Sequence, residues 1–476
     1  MEMRLRMSAR TPEVRVGEPR RRARTVFWLA VPASLVLMLA VPGAGLGQVR
    51  SGDATAGARA ARMLVGEWGG TLERGGTTAE VRLSLRPHED GLSGTFDWPD
   101  LGYRGVELIG VVLEDGAASF SIPLPLGALV LQCTSVGNVI EGHLIEVTRR
   151  ANEWVRLPPD GSFRLQRVKA VAQPYSVEPL RIESGHASLA GEVYLPRGEG
   201  PFPGVVFIHG SGDSDRSDGA FFADRFARAG ISTLVYDKRG VGESTGDWRS
   251  GGYEDLAADA HAALMVLAKR VQIDPGRVGY VVRSEGGWVG PLAVERGGAA
   301  FLAAISAPTV SVAAEDIDHY RVALREAGFD EEAMAKAFAL LRARHDVIAG
   351  VADGQELAAR VEAVRDQPWF GVLGWEAAES ADDVFRSRTI WFDPAPHLKT
   401  LGVPSLWLYG TDDTTIPAGE SVARLMALQI SPRPAIMVLP GADHALARID
   451  YPRLPTGVAR SAEVLSEWIR QIPSLR

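Results

Sequence analysis

The sequence predicts a two-part chain: a small antiparallel β domain, then a larger α/β domain with a mostly parallel sheet covered by helices on both faces. Three observations carry this prediction. Short alternating segments broken by glycine-containing turns occupy residues 57–169, whereas continuous apolar runs separated by helical stretches occupy residues 171–476. Within the second region, one block at about 309–397 turns helical between two such runs and reads as an inserted cap. A chain of 476 residues is long enough for both bodies.

In the first region Ala79–Leu85, Ala117–Ile122 and Phe163–Val168 read as strands, and Asp90-Gly91 and Asp160-Gly161 supply turns. Trp68 and Trp98 read as core aromatics, and no His, Cys or carboxylate cluster there has ligand spacing. Pro158, Pro159 and Pro174 mark the passage onward, with the boundary near Val171. Beyond it, Ser188–Leu195 reads as a leading antiparallel strand. The sheet continues with Gly204–Ile208, Ser232–Tyr236, Val278–Val282, Phe301–Ser306, Ser405–Tyr409 and Ala435–Leu439. In the cap, Ala333–His345 and Gln355–Val364 are the clearest helices, and Met334, Phe338 and Leu341 fall at core spacing. Trp369, Phe370, Trp375, Trp391 and Phe392 of the cap could line a pocket, and they read first as packing residues.

Charge and cysteine usage narrow the function. Residues 1–47 hold 8 Arg against 3 Glu, which leaves 43 basic and 56 acidic residues in the remainder, a net charge of −13. Such a body repels nucleic acid. The leader has the order of an export signal: Arg20, Arg21, Arg22 and Arg24, the apolar run Val26–Val41, then mostly small residues to Gly47. The run has 16 residues and contains Pro32, whereas a spanning helix needs about 20, so cleavage near Gly47 is expected and no stable membrane span after it. The expected location is periplasmic or extracellular, the alternative being a membrane tether through an uncleaved signal. Cys133 is the only cysteine, which excludes an intramolecular disulfide, a cysteine-rich zinc site and a lipoprotein anchor. No metal or cofactor is implied.

The chemistry lies in loops that follow predicted strands. Ser284 stands between the strand Val278–Val282 and the helix-forming stretch Gly286–Glu295, the layout of a nucleophile elbow. Gly286 and Gly287 let that helix pack closely, and the Glu285 amide is directed at a developing oxyanion. After Gly204–Ile208 comes His209-Gly210-Ser211-Gly212, a glycine-bearing loop in which Ser211 N–H is the candidate second donor. Asp413 follows Ser405–Tyr409, and His444 follows Ala435–Leu439. The chain order Ser284, Asp413, His444 is that of α/β-hydrolases, with imidazole as base and carboxylate as its orienting partner.

These residues resemble the exported bacterial α/β-hydrolases of the serine-aminopeptidase-like and dienelactone-hydrolase-like group. The resemblance covers about Leu189 to the carboxyl end. It is carried by Leu195-Pro196, PGVVFIHGSG at Pro203–Gly212, YDKRGVGEST at Tyr236–Thr245, SEGGWVGPL at Ser284–Leu292, LYGTDDTTIP at Leu408–Pro417 and PGADH at Pro440–His444. The β-rich segment, with GEWGGT at Gly66–Thr71 and GLSGTFDWP at Gly91–Pro99, looks like the domain often placed before such hydrolases. The resemblance implies ester hydrolysis, with amide or thioester cleavage as variants, of a small acyl-containing substrate as partner, through an acyl-enzyme on Ser284 and without metal or cofactor. It also implies that Asp237, Arg239 and Gly240 shape a loop. It favours Asp413 over Asp412, because Gly410 and Pro417 fit the family spacing only for that choice. Asp443 reads as a turn residue.

Two positions depart from the family pattern: Val282 stands where Gly is usual, and Arg283 where His or a neutral residue is usual. The valine side chain either displaces the elbow or finds room nearby, and the complete constellation favours room. The competing readings are a catalytically weak hydrolase-fold protein that binds an envelope ligand or partner, and an acyltransferase that uses the same triad.

Overall fold

A computed structural model describes residues 61–474 apart from 89–90, 100–102, 109, 115–116, 125–126, 151–152, 170–172, 374–383 and 447–457. The leader 1–47, Asp90, Val171 and Trp375 lie outside the described residues.

The first body is an antiparallel sheet of β1 (Gly66–Arg74), β2 (Thr77–His88), β3 (Gly91–Trp98), β4 (Tyr103–Glu107), β5 (Gly110–Glu114), β6 (Ala117–Leu124), β7 (Gly127–Val136), β8 (Val139–Arg150), β9 (Glu153–Arg156) and β10 (Gly161–Arg167). Alternation sets the faces: in β2, Ala79, Val81, Leu83 and Leu85 are buried while Glu80, Arg82 and Arg86 face water. The strand order is β4-β3-β2-β1-β10-β8-β7-β6-β5, with β9 paired to β8. Phe96 and Trp98 from one end of that order share a core with Val111 and Leu113 from the other, so the sheet is rolled around its own apolar face. Trp68 is fully buried there, and its indole N–H donates to Leu64 O at 2.7 Å. Cys133 lies in the same interior, where burial pushes its thiol up to about 12.

The second body has the α/β-hydrolase fold. Its strands are β11 (Tyr175–Ser184), β12 (Ala187–Pro196), β13 (Phe202–Ile208), β14 (Ser232–Tyr236), β15 (Ile273–Arg283), β16 (Leu302–Ile305), β17 (Ser405–Gly410) and β18 (Ala435–Leu439), in the order β11-β12-β14-β13-β15-β16-β17-β18. β12 pairs antiparallel with β11 and β14, and every pairing from β14 to β18 is parallel. Helices α1 (Ser217–Arg228), α2 (Tyr253–Ala268) and α3 (Gly286–Glu295) follow β13, β14 and β15 in turn. The cap comprises α4 (Val312–Glu326), α5 (Glu331–Ile348), α6 (Gly354–Val364), α7 (Val384–Thr389) and α8 (Ala395–Lys399). α9 (Ala418–Ala427) joins β17 to β18, and α10 (Val458–Gln471) ends the fold.

Burial explains the layers. The strands β13, β14 and β17 carry buried residues along nearly their whole length because helices cover both faces. Residues of α2 and α3 pack on one face with Val206, Tyr280 and Trp407, while α1 and α10 pack on the other with Phe207, Val281 and Leu408. The cap has its own core, in which Met334, Phe338 and Leu341 meet Ile317, Tyr320 and Trp369. Asp330 starts α5 by accepting the Ala333 N–H at 2.9 Å. This arrangement brings the carboxyl ends of β13, β14, β15, β17 and β18 to one rim.

Candidate active site

Ser284 occupies a turn between β15 and α3 with φ of 51°, a left-handed conformation that a non-glycine residue rarely adopts. Surrounding bonds enforce it: the Ser284 N–H donates to Ile305 O at 3.1 Å, and its carbonyl accepts the Gly287 N–H at 2.8 Å. Val282 is fully buried and fits because two glycines leave a notch in the facing helix. A Cβ on Gly286 would lie 2.8 Å from Val282 Cβ, and one on Gly290 would lie 3.0 Å from Val282 Cγ1. The volume that glycine at 282 usually yields is here yielded by the helix.

The structure brings Ser284, His444 and Asp413 together. His444 Nε2 is 3.1 Å from Ser284 Oγ, and His444 Nδ1 is 2.9 Å from Asp413 Oδ2. The other Asp413 oxygen accepts the backbone N–H groups of Thr415 and Ile416 at 2.9 Å each, so the carboxylate is fixed by three bonds with no exposed side-chain surface. The network places the proton on Nδ1 and leaves Nε2 free to accept from the serine hydroxyl. Asp412 is exposed, and its carboxylate accepts from Thr411 Oγ1 at 2.8 Å. Asp443 accepts the Ala445 N–H at 2.9 Å, as a turn residue does.

The loop after β13 closes on the serine. A Cβ on Gly210 would stand 3.3 Å from Ser284 Cβ and 3.8 Å from its Oγ, so a side chain here would press on the nucleophile. Neither the Ser211 N–H nor the Glu285 N–H donates to any partner among the described residues. Gly212 turns the loop with φ of 83°. A Cβ on Gly287 would meet Pro308 O at 2.6 Å, so this residue, like Gly286, permits the close seating of α3. His209 is a packing residue: its ring lies 4.8 Å from that of Tyr236, and burial, then the charge of Lys238, lower its pKa to about 3.

Sequence reasoning missed Lys238. Its ammonium donates to Gly210 O at 2.7 Å and to Glu285 Oε1 at 2.9 Å, and it lies 5.1 Å from the centre of the Trp248 ring. The available signal was two charged residues, one two positions after a buried strand and one directly after the nucleophile. The neighbours of Lys238 hold the loop: Asp237 accepts Arg216 Nη2 at 2.8 Å and the Glu243 N–H at 2.9 Å, and Arg239 makes a forked pair with Asp259 at 2.6 and 2.7 Å. Gly240 has φ of 76° in the same turn.

The cap overlooks this rim. Glu315 of α4 has its pKa raised to about 8, by burial first and then by the charges of Asp316 and Asp413. Tyr253 and Phe392 pack with ring centres 5.2 Å apart, Trp369 is buried in the cap core, and Trp391 is 47% exposed and edge-on to His345. Packing therefore accounts for Trp369 and Phe392. Among the described residues, no group of three or more His, Cys, Asp or Glu side chains is arranged to hold a metal ion. No helix among them is long and apolar enough to cross a membrane.

Residues 184–445 match the X-Pro dipeptidyl-peptidase (S15) family. An uncharacterized protein of Mycobacterium tuberculosis is 32% identical over 174 residues, covering 36% of this chain and 60% of that protein. Esterase EstD of Thermotoga maritima is 25% identical over 291 residues, covering 60% of this chain and 64% of that enzyme. The chain thus spans less than two thirds of the length of these curated relatives. Among solved structures, an esterase of Pyrococcus furiosus is 14% identical with a TM-score of 0.39, covering 64% of this chain and 94% of that one.

Proposed function

This chain belongs to the X-Pro dipeptidyl-peptidase (S15) family, and from that premise we propose that it is a serine hydrolase that cleaves carboxylic esters through an acyl-enzyme on Ser284. The observation that carries this reading is a serine held at φ of 51°, 3.1 Å from an imidazole that is itself 2.9 Å from a buried carboxylate. In the first half-reaction Ser284 Oγ attacks the acyl carbon and passes its proton to His444 Nε2. The carbonyl oxygen becomes an oxyanion held by the Ser211 and Glu285 N–H groups. Collapse expels the alcohol, which takes the proton from His444. Water then attacks the acyl-enzyme with His444 again as base, and the acid leaves as Ser284 recovers its proton. Asp413 keeps the imidazole in the tautomer that each step needs and stabilises the imidazolium.

Amide cleavage is the second reading, favoured by the peptidase description of the family, whereas the Thermotoga relative is named as an esterase. Turnover of short acyl p-nitrophenyl esters, compared with X-Pro p-nitroanilides, decides between them. Ser284-dependent turnover of the esters supports the first reading. Turnover of the anilides alone transfers it to the second. Failure on both, or transfer of the acyl group to an added alcohol in preference to water, favours the binding or acyltransferase reading. The arginine-rich leader supports a proposal of export, with the protein periplasmic or extracellular or else tethered through an uncleaved signal. Amino-terminal sequencing of the mature protein near Gly47 tests that point.

A further inference from the structure

We infer that Lys238 is a positioning residue for the oxyanion hole, fixing both of its backbone donors through one ammonium group. The inference rests on the acyl-enzyme reading above. β14, β13 and β15 are neighbours in the sheet, in that order. Lys238 follows β14, Gly210 follows β13 and Glu285 follows β15 by two residues, so the lysine reaches across the central strand to both walls of the site. A peptide unit is planar and trans, with its C=O and the next N–H pointing in opposite directions. Holding Gly210 O at 2.7 Å therefore sets the direction of the Ser211 N–H. The second bond, 2.9 Å to Glu285 Oε1, ties down the residue whose own N–H is the other donor.

The surroundings make these bonds hard to replace. The Lys238 and Glu285 side chains are 1% and 4% exposed, so a broken bond has no water to take its place. The Lys238 main-chain N–H also donates to Ser214 O at 3.1 Å, which clamps the far end of the same loop. Asp213 holds the Trp248 ring beside the ammonium by accepting from Trp248 Nε1 at 2.8 Å, and it also accepts from Arg249 Nη2 at 2.7 Å. The residues that flank Lys238, Asp237 and Arg239, are committed to Arg216 and Asp259, leaving Lys238 as the cation of this loop that is aimed at the site.

The test uses the full chain with two variants. The double variant Lys238→Met with Glu285→Leu removes both charges together and leaves no orphaned ion, and Lys238→Arg keeps the charge but displaces the donor from Gly210 O. Loss of a whole oxyanion donor costs about 10²–10³ in kcat, so a misdirected one is expected to cost at least about tenfold in both variants. KM should change little. Affinity for a trifluoromethyl ketone, whose addition product places an oxyanion in the hole, should fall by the same factor as kcat, a match that a merely structural role does not produce. Wild-type kcat in a folded variant overturns the inference. Should neither variant fold, a crystal structure of the wild type bound to that ketone decides. Lys238 Nζ within hydrogen-bond distance of Gly210 O supports the inference, and a lysine turned away overturns it. If the wild type proves to react at a serine other than Ser284, the acyl-enzyme reading falls and takes this inference with it. Reaction at Ser284 with undiminished kcat in the variants removes this inference alone.

Discussion

Replacing Val282 by glycine tests how the elbow tolerates a branched side chain where the hydrolase pattern has none. Val282 is fully buried against a notch formed by Gly286 and Gly290. Losing its side chain should cost ~1.5–3 kcal/mol, and the added freedom of a glycine a further ~0.5–1 kcal/mol, so stability should fall by roughly 2–4 kcal/mol. Activity should be unchanged or lower. The converse change, Gly286→Ala, places a Cβ 2.8 Å from Val282 Cβ and 3.2 Å from Ile208 O, and it displaces the start of α3 together with the Glu285 N–H. Alone it should cost about 1–3 kcal/mol as an overpacked site and lower kcat. In the Val282→Gly background the tighter contact is gone, so the penalty of Gly286→Ala should shrink by at least ~0.5 kcal/mol. Denaturant midpoints and ester turnover of the four proteins measure both quantities. Additive effects would refute the notch. A Val282→Gly enzyme with kcat raised tenfold or more would show that the native elbow is strained out of place.

Asp413→Asn should lose far more kcat/KM than Asp412→Asn, up to ~10⁴-fold as for the orienting carboxylate in a protease triad, and the reverse ranking would transfer the role to Asp412. Glu315→Gln should flatten the pH dependence of stability. With a folded pKa raised from 4.5 to about 8, the native state keeps a proton that the unfolded chain releases, so stability falls as pH rises through that window. Thermal midpoints across the window should fall less steeply in the variant, and an unchanged slope would contradict the assignment.

Much of the α/β body was legible because fully buried parallel strands read as unbroken apolar runs. Gly204–Ile208, Ser232–Tyr236 and Val278–Val282 each sit inside an observed strand. β11 escaped notice because it is an edge strand: Val177 faces outward, Glu178 stands on the inward side and Pro179 follows, which breaks the apolar–polar alternation, and an edge tolerates them. The reverse holds at β18, whose apolar run reads as buried although Met437 and Val438 are 37% and 43% exposed at the other edge. In the first body, β4, β5 and β9 are only 5, 5 and 4 residues long, too short for alternation to register, so a ten-stranded rolled sheet reads as a smaller one. At the site, motif order singled out Ser284, Asp413 and His444. Two charged residues beside the motifs were the one trace of the Lys238–Glu285 pair, and their pairing was not legible because they are 47 residues apart and meet only through the sheet order.

The most direct test of the account is covalent labelling. The full chain is treated with a serine-directed fluorophosphonate, and the modified peptide is located by mass spectrometry, in the wild type and in Ser284→Ala. The account predicts one stoichiometric label on Ser284, lost together with ester turnover in the variant, whose thermal midpoint stays close to that of the wild type. A label on another serine, or turnover that survives Ser284→Ala, would contradict it.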